Sequence, residues 1–207
     1  MNIEIIHVGP HPTACYLVSS KNKNTVIIDP GSNPEGIIQI IESKELSPKV
    51  ILLTHGHYDH IEAVNSLCKK YEITIYLCEK ELSVINNTEL QSLIAGHQVA
   101  KVAADKLIKD GEIITLDELS FKVLETPGHS PGSVSFLVDD ILFSGDTLFA
   151  DGGIGRTDLF MGSTTDISNS IRNKLFTLPV NTVVYPGHGN SSTIGKEIAI
   201  HKAYSGF

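Results

Sequence analysis

Four consecutive apolar residues, Val50 to Leu53, run directly into Thr54-His55-Gly56-His57-Tyr58-Asp59-His60. The run is too short for a helix and shows no polar alternation, which is the pattern of a strand covered on both faces. Ligand-type chemistry then sits at the strand's C-terminal end. His55, His57, Asp59 and His60 fall within six positions, in a loop or at a helix start, and packing alone does not ask for such crowding. In extended chain, His55 and His57 at i and i+2 face alike, whereas the adjacent Asp59 and His60 cannot, so one peptide can serve two neighbouring ions.

The flanking pattern fits a layered sheet. Residues 3–8, 15–18 and 25–28 read as short strands of an antiparallel meander, closed by the turn signature Asp29-Pro30-Gly31. Asn33-Pro34-Glu35 offers a cap, a first-turn proline and an acid, with Ile37, Ile38 and Ile41 at helical spacing behind them, so a helix is predicted over 34–46. A second helix is predicted over 61–70, a strand over 73–77, and weakly patterned helix over 81–109. Strands follow at 113–116, 121–125, 134–138 and 141–144, then a helix at 165–174 and a strand at 183–185. The alternation of helices and strands suits a layered architecture. No linker or low-complexity segment divides the 207 residues, which read as one domain, 1–207, with two similar halves. A chain of this length buries enough surface to need no disulfide staple, and Cys15, Cys68 and Cys78 lack any CxxC spacing, so they read as small hydrophobes.

Charge and hydropathy narrow the partners. Sixteen Lys and Arg against 24 Asp and Glu give a net charge of -8, which repels phosphate backbones and anionic membrane surfaces. No apolar stretch approaches the ~18 residues of a membrane helix, and the first ten residues lack a basic, apolar leader. A cytoplasmic protein acting on a small molecule, without nucleic acid or membrane, is expected.

Three further strand ends place a ligand-type residue beside glycine: Pro127-Gly128-His129, Ser144-Gly145-Asp146 and Pro186-Gly187-His188-Gly189. Glycine lets backbone approach a compact centre closely. Together with the first motif they supply five histidines and two aspartates, more than one tetrahedral ion takes and suited to two ions sharing a carboxylate. Imidazole and carboxylate without thiolate suit zinc, iron or manganese, and zinc is the first choice here.

The run from Thr54 to His60, with His129, Asp146 and His188 following in that order, resembles the metallo-β-lactamase superfamily over nearly the whole chain. The resemblance implies an α+β fold, a four-layer αββα sandwich with its metals at one edge between two sheets. Thr126-Pro127-Gly128-His129-Ser130-Pro131-Gly132-Ser133, Gly145-Asp146-Thr147-Leu148-Phe149 and Gly155-Arg156-Thr157-Asp158 look like the glyoxalase II-type hydrolases. By matching position, the resemblance implies that His55, His57 and His129 hold one ion, that Asp59, His60 and His188 hold the other, and that Asp146 bridges them. Two cations about 3.5–4 Å apart bring a shared water's pKa toward roughly 7, which makes an acyl hydrolase, with Asp59 as ligand and orienter of the hydroxide. A thioester suits such a site, since a thiolate leaves without a strong general acid. Arg156 is the candidate for holding an anionic substrate group. The glyoxalase II enzymes carry a C-terminal helical extension where this sequence ends at Phe207, and tyrosines where it has Asp158 and Asn190.

A rival implied by the same scaffold is a persulfide dioxygenase with a single iron on His55, His129 and Asp146. Lactones and other esters stay open as hydrolase substrates. Gly152-Gly153-Ile154-Gly155-Arg156 lacks the Lys-Ser or Lys-Thr of a phosphate loop. His7 and His11 fall outside the matched motifs, and His97 and His201 read as surface residues.

Overall fold

The computed structural model describes residues 1–205. Strands β1 (Asn2–Val8), β2 (Thr13–Ser19) and β3 (Asn24–Ile28) form the expected antiparallel meander. Helix α1 (Pro34–Ser43) crosses over so that β4 (Ser47–Leu52) lies parallel to β3. Asn33 caps α1 by accepting a hydrogen bond from the Gly36 amide at 3.2 Å, which satisfies one of the free amides of the first turn. The helix stops three residues short of its expected end at 46 because Glu45 turns into the left-handed region (φ 54°). Short helices α2 (Tyr58–Ile61) and α3 (Val64–Lys70) lead to β5 (Thr74–Cys78), again parallel. The single helix expected over 61–70 is thus broken at Glu62-Ala63, where the Ala63 amide donates to the Pro30 carbonyl at 3.0 Å.

The weak helical pattern of 81–109 resolves into three small pieces. They are α4 (Leu82–Ile85), α5 (Thr88–Ala95) and an edge strand, β6 (Lys106–Ile108). Only Ile108 of β6 points inward and is buried, so no alternation marks it in sequence. The second sheet holds β7 (Ile113–Leu116), β8 (Leu119–Glu125), β9 (Val134–Val138), β10 (Ile141–Gly145), β11 (Val183–Pro186) and β12 (Ser192–Thr193). Helix α6 (Thr164–Asn173) precedes β11, and α7 (Ile194–Ser205) follows β12. Neither β12 nor α7 is expected from the sequence.

Among the described residues each sheet has six strands, ordered β1 to β6 in the first and β12 to β7 in the second. Alternate residues explain why β2 is buried along its whole length. Tyr16 and Val18 face the second sheet with Val26, Leu52, Phe121, Phe136 and Phe143, while Cys15 and Leu17 face outward onto Ile37, Ile41, Val64 and Leu67 of α1 and α3. On the far side, Leu142 and Val184 pack under Ile167 and Ile171 of α6 and Ile194 of α7. The result is the four-layer αββα sandwich. No helix among the described residues is long and apolar enough to cross a membrane.

Strand directions determine where the chemistry collects. Parallel pairing of β3 with β4, and of β10 with β11, sends their C-terminal ends to the same edge of their sheets. The two edges are laced together. The Val134 amide donates to the Thr54 carbonyl (2.8 Å) and the Ala14 amide to the Gly187 carbonyl (2.8 Å), and the Tyr16 hydroxyl donates to the Pro186 carbonyl (2.5 Å).

Candidate metal centre

His55, His57, Asp59 and His60 come from the segment after β4, His129 from the loop after β8, Asp146 from the end of β10 and His188 from the end of β11. The structure brings all seven together. Ligand atoms of His55, His57 and His129 lie within 4.8 Å of one another, as do those of Asp59, His60 and His188. His57 Nδ1 and His129 Nε2 face each other at 2.9 Å. Asp146 lies between the two trios: Oδ1 is 3.5 Å from His60 Nε2, and Oδ2 is 3.5 Å from His129 Nε2 and 3.4 Å from His188 Nε2. Glycine at 187 is what permits that approach, since a Cβ there would sit 2.1 Å from Asp146 Oδ1 and 2.8 Å from His60 Cε1.

Each imidazole is aimed by its other nitrogen. His129 Nδ1 donates to the Arg156 carbonyl (2.8 Å), His188 Nδ1 to the His11 carbonyl (2.7 Å) and His60 Nδ1 to Asp29 Oδ2 (2.9 Å). The Thr54 hydroxyl donates to Asp29 Oδ2 (2.5 Å) and so can accept from His55 Nδ1 (3.0 Å). In all four, the outer contact through Nδ1 turns Nε2 toward the centre, the arrangement by which outer partners orient metal ligands. Asp29 also belongs to a third close group, with His55 and His60. Its oxygens already accept from the Thr54 amide (2.8 Å), the Thr54 hydroxyl and His60, so it is an orienter here.

Three buried atoms of the centre have no hydrogen-bond partner: His55 Nε2, His60 Nε2 and Asp146 Oδ1. An unsatisfied buried polar group costs about 1–3 kcal/mol, and cations at the centre would relieve it at each of the three. The donor set therefore fits two divalent ions. Electrostatics divide the histidines. Burial and the neighbouring rings push His55 well below the usual histidine range and His57 down to about 3, so both are neutral donors. Burial also acts against protonation of His60 and His188, but Asp146, Asp59 and, for His60, Asp29 outweigh it. They hold His60 up at about 9 and His188 at about 10. Burial favours protonated Asp59 and Asp146, yet His60 and His188 beside them keep both carboxyls below their ordinary value.

The metallo-β-lactamase superfamily model matches residues 8–188, which include every one of these side chains. The chain belongs to that superfamily. Among its superfamily relatives, hydroxyacylglutathione hydrolase GloC of Haemophilus influenzae is 39% identical over 202 residues, covering 95% of each chain. The BLEG-1 B3 metallo-β-lactamase structure superposes with a TM-score of 0.91 at 39% identity, over 96% of this chain and 97% of that one. A superfamily structure solved in a di-iron-bound form gives 0.85 at 34% identity, over 94% and 96%.

A cleft of about 600 Å³ opens onto the centre. His57, Asp59, His129, Asp146 and His188 form its floor, and Ile94, Phe149, Ile154 and Leu159 form apolar walls. Arg156 is at the lining, but its guanidinium grips Asp158 with two hydrogen bonds of 2.7 and 2.8 Å. His97 is exposed and paired with Glu62. His201 corrects the surface expectation: it is buried, with its ring edge-on to Phe176 at 5.3 Å. Sequence reading also passed over Asp29, seen only as part of a turn, and the buried Glu81 and Gln91. No local spacing marks these three, because the partners that tie them to the ligand loops lie 25 to 51 residues away.

Proposed function

We propose that this chain is a metal-dependent hydrolase that cleaves a small acyl thioester at a two-ion centre. The observation that carries the reading is the pair of complete ligand trios with Asp146 facing both. The similarity to GloC supports a hydroxyacylglutathione-like substrate, and the di-iron relative keeps iron beside zinc and manganese as candidate metals.

His55, His57 and His129 would hold one ion, Asp59, His60 and His188 the other, with Asp146 shared. When bound, two such ions lower the pKa of a water toward neutrality and polarise a carbonyl. The chain supplies the rest. Asp59, kept ionised, accepts a hydrogen bond from the attacking water and so turns its lone pair toward the acyl carbon. Ile94, Phe149, Ile154 and Leu159 shelter the acyl group from bulk solvent. A thiolate is stable enough to depart without a proton, in keeping with a floor built of acceptors and ligands. Arg156 can exchange Asp158 for a substrate carboxylate, because an exposed ion pair is worth only about 0–1 kcal/mol.

The test is a metal count followed by a thioester panel. Two ions per chain and hydrolysis of lactoyl- or acetyl-thioesters, lost on chelation and regained with zinc, iron or manganese, are expected. One iron per chain with oxygen uptake on a persulfide would overturn the hydrolase. Arg156→Ala should raise KM for the glutathione thioester several-fold at nearly constant kcat, as loss of uniform binding does.

A further inference from the structure

Glu81 is fully buried at the end of a 3₁₀ turn, Glu79–Glu81, outside the ligand set. Its carboxylate is met by three neutral donors. Oε1 accepts from the Gly56 amide at 3.0 Å, and Oε2 accepts from the Gly132 amide at 2.7 Å and the Ser130 hydroxyl at 2.8 Å. Gly56 stands between His55 and His57, and Ser130 follows His129. One side chain therefore holds both loops that carry the first trio, the loops whose His57 Nδ1 and His129 Nε2 meet at 2.9 Å.

Two glycines independently show that this segment is built to lie against those loops. A Cβ on Gly132 would fall 2.3 Å from the Glu81 amide nitrogen, and one on Gly56 would fall 2.9 Å from Ile85 Cβ. Gln91 completes the clamp, with its amide nitrogen donating to the Gly56 carbonyl at 2.6 Å and its amide oxygen accepting from the Tyr58 amide at 3.0 Å. A buried carboxylate without a cation is costly to keep, and a leucine would fill the same volume. What only an acceptor with two oxygens can do here is join two backbone segments that each donate.

We propose that Glu81 is a positioning residue for the ion site of His55, His57 and His129, setting the spacing between its two loops and leaving the site of Asp59, His60 and His188 untouched. The proposal rests on the two-ion reading above but not on the thioester, so the experiment reads ion binding instead of hydrolysis. A glutamine at 81 presents an N–H to a donor and breaks the bracket. Glu81→Gln is made in a His188→Ala background, where only the first trio is complete, and in a His57→Ala background, where only the second is. Zinc affinity by competition with a chelating dye and the visible spectrum of the cobalt(II) forms are measured. Expected is a 10–100-fold weaker zinc site in the first background, the usual cost of a lost outer partner, with an altered cobalt spectrum, and a change under threefold in the second. Ser130→Ala, which removes one donor, should weaken the same site by less. It decides the matter if Glu81→Gln does not fold. Glu81→Gln or Ser130→Ala leaving the first site at full affinity, or weakening both sites equally, overturns the proposal.

Discussion

His57 and His60 sit one helical turn apart, yet their surroundings give them opposite protonation. His57 is held neutral down to about pH 3, whereas His60, facing Asp29, Asp59 and Asp146, keeps a proton to about 9, and His188 keeps one to about 10. In the metal-free protein, both raised values lie above the unfolded histidine value near 6.5. These ion pairs therefore stabilise the metal-free fold fully below that pH and lose their contribution as pH rises through 9 to 10. Ligation requires neutral imidazole, so ion uptake displaces those protons. Zinc titration of the metal-free protein at pH 7 should release about two protons per chain in weakly buffered calorimetry, and apparent affinity should tighten as pH rises toward 9. Release of none would mean that His60 and His188 are already neutral. Asp29 acts on the same ring from outside. Asp29→Asn places an amide N–H against donors from Thr54 or His60, and zinc affinity measured by dye competition should fall 10–100-fold.

At the scale of elements, legibility followed the strength of local pattern. The strand of Val50 to Leu53 and its histidines were readable because a continuous apolar run and a ligand cluster are both local signals. The seven side chains now found together were nameable for the same reason, each standing beside glycine or in the first motif. Edge strand β6, with one buried residue, and α7, whose apolar residues do not gather on one face, carry no such signal. Both are held by tertiary contacts that only the folded chain supplies. Helix α7 nevertheless bears on the site. Its Glu197 is fully buried and accepts from the Asp151 amide (3.2 Å), the Gly152 amide (2.7 Å) and the Ser192 hydroxyl, fixing the start of the loop that carries Ile154 and Arg156. Glu197→Ala leaves two amides without their acceptor and should destabilise the protein by about 1–3 kcal/mol in urea unfolding. KM for thioesters should rise more than kcat falls, since the loop lines the cleft and the ion ligands lie elsewhere. An unchanged KM would detach α7 from substrate binding.

Across the whole molecule, the centre is also a seam. Each trio takes ligands from both sheets: His55 and His57 with His129 in one, Asp59 and His60 with His188 in the other. On the two-ion proposal, the ions would tie together edges that are otherwise joined by a few hydrogen bonds, such as Val134 to Thr54 and Ala14 to Gly187. A ligand that binds only the folded state stabilises it by about 2.7 kcal/mol at 100 times its Kd. For a chain of this size each kcal/mol shifts Tm by about 2–4 °C, so each filled site should contribute about 5–10 °C. Scanning calorimetry of the holoprotein against a chelated sample should show roughly twice that loss, and His188→Ala, keeping one trio, should fall between them. The three buried, unpartnered atoms at His55, His60 and Asp146 make the same demand from the energetic side, because a fold that buries polar atoms without partners carries their cost. If the chelated protein melts where the holoprotein does, the ions do not join the sheets, and those atoms are satisfied by water instead.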